Sequence, residues 1–240
     1  MKITDLTKQA RKVLKLKYCG AVIVAAGSAS RMAGIDKVMA QLEGEPMLLR
    51  TVRAFQDSDV IKEIVVVTRP DLLMQVTGLC KNLTKVTAVV AGGKNRPESV
   101  QLGMNALSDK VKLVAVQDGA RPLVSWQVID RTVRAANSYG AAAPAVPVKD
   151  TIKLVAGGLV SDTPDRSRLQ AVQTPQVFDR DLLRAALEKA KADGAAITDD
   201  CSAVERLGMS VKIVEGDERN IKITTPLDLK IAKLFLEETV

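Results

Sequence analysis

The chain has no histidine among its 240 residues. That absence excludes histidine-based acid–base catalysis, histidine metal ligands and any Ser-His-Asp triad. Aromatic residues make up only 2%. The core must therefore be filled by Ala, Val, Leu and Ile, and base-stacking platforms for single-stranded nucleic acid are not expected. No nucleic-acid-binding motif is visible either. Cysteine is scarce, odd in number and scattered: Cys19, Cys80 and Cys201. Such spacing gives neither a disulfide framework nor a metal cluster, and reads as buried thiols in the reducing cytoplasm. No apolar run approaches the roughly 18 residues of a membrane span. Residues 1–17 carry scattered charge and no continuous apolar stretch. They read as a basic surface extension, with a short helix around Val13 and Leu14, and not as a secretory signal.

What is present is an α/β rhythm. Apolar residues reach 47%, enough for a sizeable core. Strand candidates at 21–26, 63–68, 86–91, 113–117 and 141–148 alternate with amphipathic segments at 47–55, 71–79, 98–107 and 127–137. This spacing predicts βαβ units, hence a Rossmann-like, mostly parallel sheet with helices on both faces. Strands buried on both sides explain why the runs are continuously apolar. After Val148 the rhythm breaks. Residues 151–160 read as a β-hairpin turning at Gly157-Gly158. An isolated hairpin is poorly stable, so this one either lies on the surface or packs on a partner subunit. The rhythm resumes with helices near 180–192 and 199–207 and a strand at 211–214. A final helix follows, capped by Thr225, with Pro226 in its first turn and Asp228 facing its positive end. Ile231, Leu234 and Phe235 are expected to form its apolar stripe. The reading is one domain over 18–240, with a projecting arm at about 149–172.

The loop after the first strand carries the strongest chemical signal. Ala25-Ala26-Gly27 is followed by Arg31 and Lys37. Small residues let backbone N–H groups approach a phosphate, and the cations neutralise it. The spacing matches neither a Walker loop nor a dinucleotide fingerprint. An ordinary strand-to-helix turn with solvated cations is the bland alternative. The remaining polar groups also fall where parallel strands end, which is where such sheets bind ligands. Gly92, Gly93, Arg96 and Ser99 follow the third strand. Asp118 and Arg121 follow the fourth. Asp118 is either a turn residue or a hard carboxylate for Mg²⁺. The excess of 35 Lys and Arg over 28 Asp and Glu suits a phosphate-rich small substrate.

Together these segments resemble the cytidylyltransferases of the nucleotide-diphosphosugar transferase class, and within it those acting on methylerythritol phosphate. Ala25-Ala26-Gly27 with Arg31-Met32 resembles the family's CTP loop. Residues 92–100 resemble its cytosine and ribose segment, and 118–122 its metal-binding turn. Residues 147–151 and 173–176 resemble the two ends of its arm. Residues 197–200 and 220–224 complete the match. The family often has a glycine where Ala29 stands and a proline where Asp36 precedes Lys37. The resemblance implies transfer of a cytidylyl group from CTP to a polyol phosphate, with Mg²⁺ on Asp118. It implies Arg31, Lys37 and Lys222 as catalytic cations, and Ala25, Ala26, Gly27, Gly92, Gly93, Arg96, Ser99 and Asp118 around CTP. Arg121, Arg166 and Thr198 would hold the acceptor phosphate. It further implies a homodimer with shared active sites. Ribitol phosphate as acceptor, or a non-catalytic CTP-binding module, are the alternative readings.

Overall fold

The computed structural model describes residues 15–27 and 38–237. In chain order the strands and helices begin with β1 (Cys19–Ala25), the two-residue strands β2 (Gln41–Leu42) and β3 (Glu45–Pro46), and α1 (Met47–Gln56). β4 (Ile61–Thr68), α2 (Leu73–Cys80), β5 (Val86–Ala91), α3 (Arg96–Ala106) and β6 (Leu113–Asp118) follow. Then come α4 (Trp126–Tyr139), β7 (Ala141–Pro147), β8 (Leu154–Ala156), β9 (Leu159–Asp162) and β10 (Gln170–Val172). The chain continues through β11 (Gln176–Asp179), α5 (Arg180–Ala192), α6 (Asp200–Glu205), β12 (Lys212–Glu215) and α7 (Pro226–Glu237).

The central sheet has the order β10-β7-β11-β6-β1-β4-β5, with β12 also paired to β7. It is mostly parallel. β1 pairs in parallel with β4 and β6, β4 with β5, and β7 with β12. The antiparallel pairs are β11 with β6 and β7, and β10 with β7. Alternation along β1 divides the core. Cys19, Ala21, Ile23 and Ala25 pack with α1, α2 and α4 on one face, while Val22 packs with α3, α5 and α6 on the other. Phe55 is fully buried on the first side and Phe178 on the second. Each such side chain contributes about 1.5–3 kcal/mol by leaving water.

The helices from α1 to α5 lie close to their predicted places, and the final helix is capped as expected. The Asp228 N–H donates to Thr225 Oγ1 at 3.3 Å, and the Asp228 carboxylate accepts from the Thr224 and Thr225 N–H groups. Its buried stripe differs from the reading. Ala232 is fully buried, flanked by Leu229 and Leu236, while Leu234 is 58% exposed. Ile223, just before the helix, docks on Ala120, and the inward stripe runs Leu229, Ala232, Leu236, in successive steps of three and four. The hairpin forms at Gly157-Gly158, but its strands start later, at Leu154, and run on to Asp162. Both glycines have positive φ, 58° and 82°, as a tight two-residue turn requires. Leu16 packs on the core and the Lys17 N–H donates to Asn137 Oδ1, so this end of the predicted extension is tied down. The helix expected near Val13 and Leu14 lies outside the described residues. No described helix is long and apolar enough to cross a membrane.

Candidate active site

Sheet register brings three loops to one rim. Val24 on β1 stands opposite Asp118 on β6, and Thr68 on β4 stands opposite both Ala25 and Ala91. Two backbone bonds fasten the loops there: the Gly92 N–H donates to the Thr68 carbonyl, and the Gly119 N–H donates to the Val24 carbonyl, both at 2.8 Å. The rim encloses a cleft of about 340 Å³. Its lining includes Ala25, Ala26, Gly27, Gly93, Arg96, Ser99, Asp118 and Lys222 from the sequence reading, together with Val24, Val38, Lys94, Asn95 and Ala120.

The 92–99 loop is fixed from within. A Cβ on Gly92 would come 2.3 Å from the Ala26 Cβ, so only glycine lets the loops after β1 and β5 meet. The Gly93 N–H donates to Ser99 Oγ at 3.1 Å, and that hydroxyl donates to the Asn95 carbonyl at 2.9 Å. Asn95 caps α3 by accepting from the Glu98 N–H at 2.9 Å, while Glu98 reaches back to the Lys94 N–H at 2.8 Å. This reciprocal cap shapes the wall without drawing on the cleft's charge. Ser99 thus lines the cleft as the residue that holds Gly93 in place.

At the cleft floor one carboxylate faces three cations. Asp118 Oδ2 lies 2.9 Å from Lys222 Nζ and 3.6 Å from Arg121 Nε, and its Oδ1 lies 3.6 Å from an Arg96 nitrogen. Burial alone would raise the Asp118 pKa, but Lys222, then Arg96 and Arg121, hold it below the ordinary carboxylate value. Arg96 also binds Asp200 at 2.7 Å. Burial pushes the Asp200 carboxyl up, against the opposing pull of Arg96. Arg121 sits lower than an ordinary guanidinium because burial outweighs Asp118.

Lys222 is delivered by the segment after β12. Asn220 is fully buried and donates to the Thr174 carbonyl at 2.9 Å, while its own carbonyl accepts from Arg121 at 2.6 Å. Ile223 is fully buried and its N–H donates to the Ala120 carbonyl at 2.8 Å. With Asn220 and Ile223 anchored on either side, Lys222 projects over Asp118.

The structure brings together Ala25, Ala26, Gly27, Gly93, Arg96, Ser99, Asp118 and Lys222 as lining, with Gly92 and Arg121 directly behind them. Arg31 and Lys37 lie outside the described residues. Thr198 does not line the cleft; its N–H donates to Ser202 Oγ just before α6. Arg166 is also elsewhere. It lines a hollow at the root of the arm with Pro147 and Val148, and donates to the Lys149 carbonyl at 2.7 Å. Sequence reasoning gave no role to Asp200 or Asn220, although both fall in segments that carried the resemblance. Their buried polar side chains become informative only once their neighbours are known.

With this arrangement in view, comparison with known proteins becomes specific. The family model of 2-C-methyl-D-erythritol 4-phosphate cytidylyltransferase, IspD, matches residues 19–238. The chain belongs to the IspD family. A relative of that name from Caldanaerobacter subterraneus subsp. tengcongensis is 45% identical over 91% of this chain and 98% of its own length. Another, from Geobacillus thermodenitrificans, is 46% identical over 92% and 97%. Among solved structures, the 4-diphosphocytidyl-2C-methyl-D-erythritol synthase of Anaerococcus prevotii superposes with a TM-score of 0.84 at 31% identity, covering 92% of this chain and 99% of that one. The 2-C-methyl-D-erythritol 4-phosphate cytidylyltransferase of Thermus thermophilus gives 0.74 at 34% identity over the same shares. The IspD match spans both the cleft and the hairpin.

Proposed function

We propose that the protein transfers the cytidylyl group of CTP to 2-C-methyl-D-erythritol 4-phosphate, releasing pyrophosphate, as a step in isoprenoid precursor synthesis. The carrying observation is the Asp118 cluster: three cations converge on one buried carboxylate beside a glycine-shaped cleft, in a chain of the IspD family. An acceptor phosphate oxygen attacks the α-phosphorus of CTP, a new P–O bond forms, and the bond to the β-phosphate oxygen breaks. The nucleophile is already anionic at neutral pH. The chain needs no general base, which fits a sequence without histidine. Its work is alignment and charge stabilisation. The Gly92–Asn95 loop seats the nucleoside. Arg31 and Lys37 hold the triphosphate and the leaving pyrophosphate. Lys222, poised over Asp118, turns to the α-phosphate as negative charge gathers there. Arg121 takes the acceptor phosphate, and the resemblance adds Thr198, which lies outside the cleft lining, to the acceptor's contacts.

Among the described residues, a divalent cation fits this donor set through Asp118. No three acidic or thiol groups cluster among the described residues, and Asp200 is committed to Arg96. Among the described lining residues one hard carboxylate, Asp118, remains, which suits Mg²⁺ held mainly by substrate phosphates. Bound there, Mg²⁺ would neutralise phosphate charge.

The reading extends to a cytoplasmic homodimer with shared sites and residues 18–240 as one catalytic unit. Its support is the arm. Leu159 is 76% and Val160 61% exposed, and Arg166 stands apart from its own chain's cleft. The arm crosses to the partner and presents Arg166 there. A turnover assay with methylerythritol phosphate and ribitol phosphate side by side tests the acceptor. Faster pyrophosphate release with methylerythritol phosphate is expected. Preference for ribitol phosphate would reassign the acceptor, and CTP binding with no turnover on either would leave a binding module.

A further inference from the structure

Asp200 is fully buried, yet one of its oxygens has no partner among the described residues. Its Oδ2 accepts from Arg96 at 2.7 Å, while Oδ1 makes no hydrogen bond with any described residue. A buried carboxylate with an idle oxygen is poor stabilisation; a neutral residue of similar shape would fold as well or better. What the group does achieve is geometric. Its backbone is clamped from β11: Gln176 Oε1 accepts from the Asp200 and Cys201 N–H groups at 3.0 and 3.1 Å, and Gln176 Nε2 donates to Asp199 at 2.7 Å. The carboxylate is therefore a fixed point. Arg96, reaching from α3, bonds that fixed point and lies 3.6 Å from Asp118.

We infer that Asp200 is a positioning residue for the nucleotide: it holds the Arg96 guanidinium at the cleft wall, so that Arg96 does not collapse onto Asp118. Without that hold, Arg96 still has Asp118 as an ion-pair partner, and the two would close together across the space the phosphates enter. Residue 200 thus acts on CTP across α3 without touching it. The inference rests on the reading of the cleft as the CTP site.

The test is a double-mutant cycle read by calorimetric CTP binding to the intact protein, with kcat and KM measured alongside. Asp200→Asn keeps the shape and removes the charge. It should weaken CTP binding about 10- to 100-fold, by analogy with the loss when a group that orients a metal ligand is removed. Arg96→Ala should weaken it at least as much. The combined variant should be no worse than Arg96→Ala alone, because both changes remove one unit. Should Asp200→Asn not fold, Asp200→Glu serves in its place, since it keeps the charge but moves it by one methylene. Multiplying losses in the double variant would overturn the inference. So would a lowered melting temperature with unchanged CTP affinity, which would make the pair a simple tie between α3 and α6. If the unmodified protein itself binds no CTP, the assignment of the cleft fails first, before Asp200 is at issue.

Discussion

The cleft and the arm carry charge and apolar surface in opposite ways. In the cleft, Arg96, Arg121 and Lys222 all find Asp118 within their own chain, on a floor that is nearly inaccessible to water. On the arm, β8 and β9 are exposed at every residue, and the hairpin is a separate two-stranded sheet. The first region pairs three of its cations with a carboxylate of the same chain; the second leaves its apolar surface exposed among the described residues. The contrast supports the proposed division of labour, in which nucleotide recognition is organised within one chain and acceptor recognition draws on two.

Lys222→Ala should break the cleft most severely. Removing a cation aimed at growing transition-state charge costs about 3–4 kcal/mol of barrier, by analogy with a lost oxyanion donor. Steady-state kinetics should show kcat falling far more than CTP affinity. A change confined to KM would remove Lys222 from the chemistry.

Asp118→Asn comes next. It should abolish dependence on the divalent cation along with most activity, since the amide keeps the shape but not the charge. Full activity of the unmodified enzyme in excess chelator would leave Asp118 as a turn residue. The depressed Asp118 pKa also fixes a sign. A carboxylate whose folded pKa lies below its unfolded value stabilises the fold fully above the unfolded value, and that contribution disappears as pH falls through the folded one. Acid titration of the melting temperature should therefore show Asp118→Asn losing less stability than the unmodified protein across that acid window.

Two glycines sharpen the contrast further. Gly92→Ala would place a methyl against Ala26 with no room, and should cost about 1–3 kcal/mol of stability together with CTP affinity. Gly157→Ala meets nothing within 4 Å among the described residues and carries the left-handed backbone penalty, about 1–2 kcal/mol. It should leave CTP binding unchanged. Thermal melts and calorimetry on both variants check the pair.

The smallest effect belongs to the α5 surface. Lys189 and Asp193 pair at 2.9 Å in solvent, and Lys189→Ala should change stability by less than about 0.5 kcal/mol in a thermal melt.

The parts of this contrast that were legible in the sequence are those written in local pattern. β1, β4, β5, β6 and β7 announce themselves as short apolar runs, and Gly157-Gly158 marks the hairpin turn. β11 does not. It is four residues long, follows a Thr-Pro pair, and enters the sheet antiparallel between β6 and β7, a placement that depends on neighbours distant in the chain. Asp118 stood out at a strand end and Lys222 through resemblance, but the Arg96–Asp200 bond joins residues 104 apart, and no periodicity encodes it. Leu234 misled for a related reason. Helical spacing allows several stripes on α7, and the docking of Ile223 beside Ala120 selects the one through Ala232.

The most direct test of the two-chain claim is complementation between Arg166→Ala and Lys222→Ala homodimers. Each parent should be nearly inactive, because every site lacks one of the two cations. After subunit exchange, verified with differently tagged chains, about half the dimers are mixed and each has one intact site. Activity should then rise to about a quarter of the unmodified level. Mixed dimers that demonstrably form, yet stay at the level of the parents, would show that each site is built within one chain.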